Sequence, residues 1–208
     1  SCRLGKGGSQ MGRAAVVERN TAETSIRLEL RLDGAGSFEG GTGVGFFDHM
    51  LAQLAKHALF DLSLTCRGDL EVDAHHTVED AGICLGLSLR QALADASGIR
   101  RFGSAFAPMD EALVLACIDL SGRPGAFLQW HAPAAKVGSF DTALVPEFLR
   151  AFANTATATL HVRSLAGENA HHVCEATFKA LGLALREAVA IDPRRDGVPS
   201  TKGALFAQ

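Results

Sequence analysis

The chain repeats itself. The segment HHTVEDAGICLGLSLRQALA at 75–94 aligns without gaps to HHVCEATFKALGLALREAVA at 171–190, at an offset of 96, and ten of the 20 positions are identical. Both histidines of the opening doublet, the glutamate that follows and the LGL core are all kept. Repeated units lean on each other, because each alone is too small to bury its hydrophobic face. Two related halves are therefore expected, at 11–98 and 99–192, joined through GIRRFG at 98–103. Residues 1–10, SCRLGKGGSQ, precede Met11 and read as a tail or leader outside the fold, with 193–208 as a C-terminal tail.

Within each half, strand patterns precede helix patterns. Residues 25–32 alternate, with Ile26, Leu28, Leu30 and Leu32 on one face and Arg27, Glu29 and Arg31 on the other, as in a half-buried strand. Residues 157–163 repeat this with Ala158, Leu160 and Val162 inward, and 112–120 and 126–130 are short apolar strands around the turn SGRPG. Val78, Ala81, Leu85, Leu89 and Leu93 recur at threes and fours, which is an amphipathic helix starting near the first doublet. Its twin starts near His171, and shorter helices run from Asp48 and Pro146. The expected class is α+β: two repeated βαβ-type halves, with mixed sheets and helices packed between them.

The chain of 208 residues is 47% hydrophobic, enough for a full core, and no apolar run approaches a membrane span. A net charge of −3 with dispersed basic residues argues against nucleic acid or a membrane as the main partner. The five cysteines are odd in number and form no CxxC pair, so they read as reduced, buried residues of a cytoplasmic protein.

The doublets carry the chemistry. On a helix, residues four apart share a face and neighbours diverge by about 100°. His75 can therefore act with Glu79, and His171 with Glu175, while His76 and His172 point elsewhere. If a pseudo-two-fold axis relates the halves, each turned-aside histidine reaches the other half's pair. One site then holds His75, Glu79 and His172, and the other His171, Glu175 and His76. Mixed nitrogen and oxygen ligands suit Mn²⁺, Fe²⁺ or Zn²⁺, and an octahedral site favours manganese. One HHxxE would read more simply as a solvated helix start; its duplication in otherwise diverged sequence favours metal. A dinuclear metallohydrolase would share such sites, but its Asp-rich motifs are absent, and a di-iron bundle does not fit the alternating strands. A metal-clamped, non-enzymatic assembly stays open on these residues alone.

GFFDHML at 45–51, LAGENAHH at 165–172, RNTAET at 19–24, SGRP at 121–124 and STKGAL at 200–205 stand beside the doublets. Together they resemble the imidazoleglycerol-phosphate dehydratase family over nearly the whole chain. The resemblance implies a manganese-dependent lyase of histidine biosynthesis with two Mn²⁺ per active site. Its members assemble into large symmetric homo-oligomers, a 24-mer being implied, in which metal helps join subunits. It marks His49, His75, His76, Glu79, His171, His172 and Glu175 as metal ligands. The pseudo-symmetric partner of His49 is Glu147, where many relatives carry histidine. Glu23, His49, Gln53, His57, Arg101, Arg123, Lys179, Ser200, Thr201, Lys202 and Gly203 are implied in binding the phosphorylated imidazole substrate. Arg101, Arg123, Lys202 and the STKG turn are the cations and backbone N–H groups that a phosphate needs. Glu23, Glu79, His76 and His172 are the implied catalytic groups, and Glu23 leads for acid–base work because it is not a metal ligand. GGTGVG at 40–45 is a tight turn that places His49, not a dinucleotide loop. Glu168, His131 and His161 read as structural, and Trp130 and the twelve phenylalanines as core or interface.

Overall fold

Ile26, Leu28 and Leu30 are at most 2% exposed while Arg27 and Arg31 face water, so the alternation in the sequence becomes a strand with one buried face. The computed structural model describes residues 2–5, 12–201 and 203–206. In chain order the elements are β1 (Cys2–Gly5), β2 (Ala14–Asn20), β3 (Thr24–Arg31), β4 (Phe38–Gly41), α1 (Gly45–Ala58), β5 (Asp61–Gly68) and α2 (His75–Leu93). The second half continues with β6 (Phe102–Met109), β7 (Ala112–Asp119), β8 (Gly125–Gln129), a short hairpin of β9 (Lys136–Val137) and β10 (Phe140–Asp141), α3 (Leu144–Thr155), β11 (Thr159–Ala166) and α4 (Ala170–Val189).

Both halves have one topology. The first sheet runs β1-β2-β3-β5-β4 and the second β6-β7-β11-β8. In each, an antiparallel pair (β2 with β3, β6 with β7) is followed by a parallel crossover: β4 and β5 flank α1, and β8 and β11 flank α3. These are the expected βαβ-type units. The long helices α2 and α4 then return over their own sheets, α2 on β2 and β3, α4 on β6 and β7. Across the middle α1 packs on α4 and α2 on α3, so the helices fill the space between two mixed sheets.

The repeated LGL has a steric reason. A Cβ on Gly86 would lie 2.5 Å from the Phe152 carbonyl oxygen of α3, and one on Gly182 would lie 2.7 Å from that of Leu54 in α1. Both glycines sit where a long helix crosses the other half's short helix, so any side chain would push the backbones apart. The core around these crossings includes Phe47, Phe148, Phe152 and Phe178, all fully buried.

Two expectations need correcting. Cys2–Gly5, set apart as a tail, form an edge strand whose backbone pairs antiparallel with Val16–Arg19 of β2. The strand expected from 157 starts at Thr159, because Thr157 takes a left-handed turn conformation (φ 51°) after α3. His161 lies exposed on the outer face of its sheet, stacked on Phe127 at 4.7 Å, and the Trp130 indole N–H donates to Thr177 in the interior.

Candidate metal centre and phosphate cluster

The turn preceding α1 sets the position of His49. Gly40 and Gly43 have positive φ, and Asp48 accepts hydrogen bonds from the Thr42 amide and hydroxyl, tying the turn to the first helical residues. His49, Gln53 and His57 then follow at intervals of four along the α1 face that meets α4. The first histidine of each doublet is pinned in the same way in both halves. The His75 amide donates to the Asp73 carboxylate and the His171 amide to the Asn169 side chain, residues again 96 apart, of which Asn169 caps its helix and Asp73 stands one residue before the cap position of its own.

At this end of the helices the structure brings His49, His171 and Glu175 together, with one ligand-type atom from each inside a 4.8 Å group. The His49 and His171 Nε2 atoms lie 3.3 and 3.1 Å from the same Glu175 oxygen, while the Lys179 ammonium sits 2.8 Å from the other. Burial works to raise the Glu175 carboxyl, but the Lys179 ammonium and the two imidazoles outweigh it and hold the group below its ordinary range. Two imidazole nitrogens and one hard carboxylate oxygen form a donor set suited to a divalent ion such as Mn²⁺. Lys179, read as a substrate contact, is engaged here with Glu175 and Met109. Beside it, burial first and then the Lys179 charge depress His57.

The matching pair in the first half is looser. The His75 Nε2 stands 3.8 Å from Glu79, and both side chains are nearly half exposed. His75 and Glu147 line one cleft of about 620 Å³, walled by the start of α1 and the β9–β10 hairpin. Glu147 ion-pairs with Arg150 at 2.7 Å. Glu23, in the β2–β3 turn, is close enough for its charge to act on His76.

Within one chain the crossing expected between halves does not occur. Among the described residues His76 meets Asp69 through Nδ1 at 2.9 Å, and His172 meets Glu111 through Nδ1 at 2.7 Å. Asp69 raises His76, and the His172 contact, followed by the Asn169 amide, brings Glu111 down to about 2. The sequence offered no signal for these two carboxylates, since neither belongs to the repeated motif.

The phosphate candidates gather elsewhere. Arg101 makes a two-pronged ion pair with Asp119 at 2.7 and 3.0 Å and donates to the Pro199 carbonyl, next to Ser200. Arg123, largely exposed, approaches the same Asp119 at 3.6 Å. The left-handed Gly122 of the SGRP turn packs directly on the Leu205 carbonyl, so Arg101, Arg123, Ser200, Thr201 and Gly203 belong to one corner; Lys202 lies outside the described residues. That corner is at the far end of α4, because the Arg101 amide donates to the Ala188 carbonyl. With a rise of 1.5 Å per residue, 17 residues of helix separate it from His171 by about 25 Å.

Comparison with known proteins agrees with this architecture. Residues 42–185 match the family described as imidazoleglycerol-phosphate dehydratase. The chain is 58% identical to the imidazoleglycerol-phosphate dehydratase of Moorella thermoacetica, over 94% of this chain and all of that protein. It is 55% identical to that of Jannaschia sp., over 93% of this chain and all of the relative. Among solved structures it resembles imidazoleglycerol-phosphate dehydratase from Staphylococcus aureus at TM-score 0.78 and 35% identity, covering 86% of this chain and 99% of that one. The Pyrococcus furiosus enzyme, solved in complex with (S)-C348, gives TM-score 0.78 and 40% identity, over 90% and 99%. With the same two-halved sheets and near-complete coverage at such identity, the chain belongs to the imidazoleglycerol-phosphate dehydratase family and is a hydro-lyase of histidine biosynthesis.

Proposed function

We propose that the chain converts imidazoleglycerol phosphate to imidazole acetol phosphate and water, using two Mn²⁺ per active site in a site shared between copies of the chain. The observation that carries this reading is the joining of His49, His171 and Glu175 from two helices into one mixed-ligand group, beside a second His–Glu pair of the same pattern. His49, His171, Glu175 and a His76 would hold one ion; His75, Glu79, Glu147 and a His172 would hold the other. Bound Mn²⁺ supplies Lewis acidity and a template for the two imidazole nitrogens of the substrate.

The protein's own groups do the rest. Arg101, Arg123 and the Ser200–Gly203 turn grip the phosphate, which fixes the glycerol chain relative to the ring. Glu23 takes up the carbon-bound proton and returns it to the departing hydroxyl, which leaves as water, and the enol so formed becomes the ketone. The roughly 25 Å between the His171 end of α4 and the arginine corner is far longer than one small substrate. Phosphate grip and metal pair must therefore come from different copies, and the outward-facing His76 and His172 suit ligands given to a neighbour. A large symmetric homo-oligomer, a 24-mer as the family resemblance implies, provides such sharing. No helix among the described residues is long and apolar enough to cross a membrane, consistent with the cytoplasmic setting we assign.

The test is turnover by metal-stripped protein. Adding Mn²⁺ should restore formation of imidazole acetol phosphate from imidazoleglycerol phosphate. Manganese uptake into an intact assembly without product would overturn the proposal.

A further inference from the structure

His76 and His172 hold the same pose by different means. Each turns its Nδ1 onto a carboxylate oxygen, Asp69 at 2.9 Å and Glu111 at 2.7 Å. The repeat does not explain this. Equivalent residues of the two halves lie 96 apart, whereas Asp69 and Glu111 are 42 apart, one between β5 and α2, the other in the β6–β7 turn. The arrangement recurs although the residue supplying it does not. At the other three proposed ligand rings it is Nε2 that faces a carboxylate: His49 and His171 toward Glu175, His75 toward Glu79. Among the described residues the His172 Nε2 has only the exposed Asp110 at 3.7 Å, beyond hydrogen-bonding range.

We propose that Asp69 and Glu111 are positioning residues: each accepts the Nδ1 proton of its histidine, so that Nε2 carries the free lone pair offered to a metal ion. Neutral imidazole has one proton and one lone pair, and the partner of one nitrogen decides what the other can do. A carboxylate only accepts, so it keeps the proton on Nδ1 and locks the ring's orientation. This inference rests on the metal-centre reading above and adds to it two residues that touch neither metal nor substrate.

Glu111 permits a sharp test. Its Oε2 faces the ring, while its Oε1 accepts from the Glu168 and Asn169 amides at 3.0 and 2.8 Å. In Glu111→Gln the one remaining oxygen stays with the two amides. The new NH₂ then faces Nδ1 and forces the proton to Nε2, with loop geometry kept. Mn²⁺ titration of stripped protein by calorimetry should show affinity weaker by about tenfold or more for Glu111→Gln and, independently, for Asp69→Ala, with thermal unfolding of Glu111→Gln unchanged. Nitrogen-15 NMR of the metal-free protein, at alkaline pH where the ring is neutral, should find the proton on Nδ1 of His172 in the wild type and on Nε2 in Glu111→Gln. Wild-type affinity in both variants, or an Nε2 proton in the unaltered protein, overturns the inference. Failure of wild-type protein to take up Mn²⁺ would sink the metal-centre reading instead, leaving the NMR arm to judge the carboxylates.

Discussion

Glu23 owes its place to a buried neighbour of the proposed metal ligands. The Thr21 hydroxyl accepts from the Glu23 and Thr24 amides, which closes the β2–β3 turn that bears Glu23. The Thr24 hydroxyl in turn donates to Asp80, which is 6% exposed and ion-paired with Arg19 at 3.0 Å. Asp80 directly follows Glu79 on α2, so the turn bearing the proposed base is fastened to the helix bearing a proposed ligand. A positioned acid–base group is worth about 10²–10⁴ in rate. Glu23→Gln should therefore lower turnover by about that factor while manganese content stays at the wild-type level. Side-by-side steady-state rates and metal analysis check it, and near-normal turnover would remove Glu23 from the mechanism.

At the scale of elements, the two helix crossings decide how well the ligands meet. Alanine at an exposed helical glycine stabilises by up to about 1 kcal/mol. At Gly182 the sign should reverse. A methyl there would also lie 3.2 Å from the Ala58 amide and the His57 Cβ, so α1 must shift against α4. We expect Gly182→Ala to cost about 1–3 kcal/mol in denaturant unfolding, and to weaken Mn²⁺ binding because His49 rides on the displaced helix. Stabilisation instead would show that the crossing has slack. How much of this was legible follows the same line between local and distant causes. The doublets, the three-and-four spacing of α2 and the alternation of β3 are local patterns, and they placed helices, strands and the two His–Glu pairs. The strands β2 and β6 show no comparable alternation, whereas β5 does, with Leu62 and Leu64 buried between the exposed Ser63 and Thr65. The joining of His49 to Glu175, 126 residues away, was suggested by family resemblance and not by spacing. Asp69, Glu111 and Asp119 act through tertiary contacts from loops and a strand end, where an acidic residue looks like any solvated charge.

For the whole molecule, geometry separates the two groups that the proposed reaction needs together. Glu23 and the doublets lie where the helices begin, and Arg123 lies with Arg101 and Asp119 where α4 ends. If each active site joins the first group of one copy to the second group of another, two damaged chains can repair each other. Glu23→Gln lacks the base but keeps its arginines; Arg123→Ala keeps the base and loses an exposed cation. Each alone should be nearly inactive. Mixed in equal amounts, stripped of metal, dissociated and reassembled with Mn²⁺, they should recover about a quarter of wild-type activity, because random assembly puts two intact groups at about one site in four. A mixed assembly, verified by mass, that stayed as inactive as its parents would show that base and phosphate grip belong to one chain. The folded subunit would then have to bring the Glu23 turn to the Arg123 corner by itself, although α4 sets its own His171 end about 25 Å from that corner and, as a rigid helix, offers no hinge.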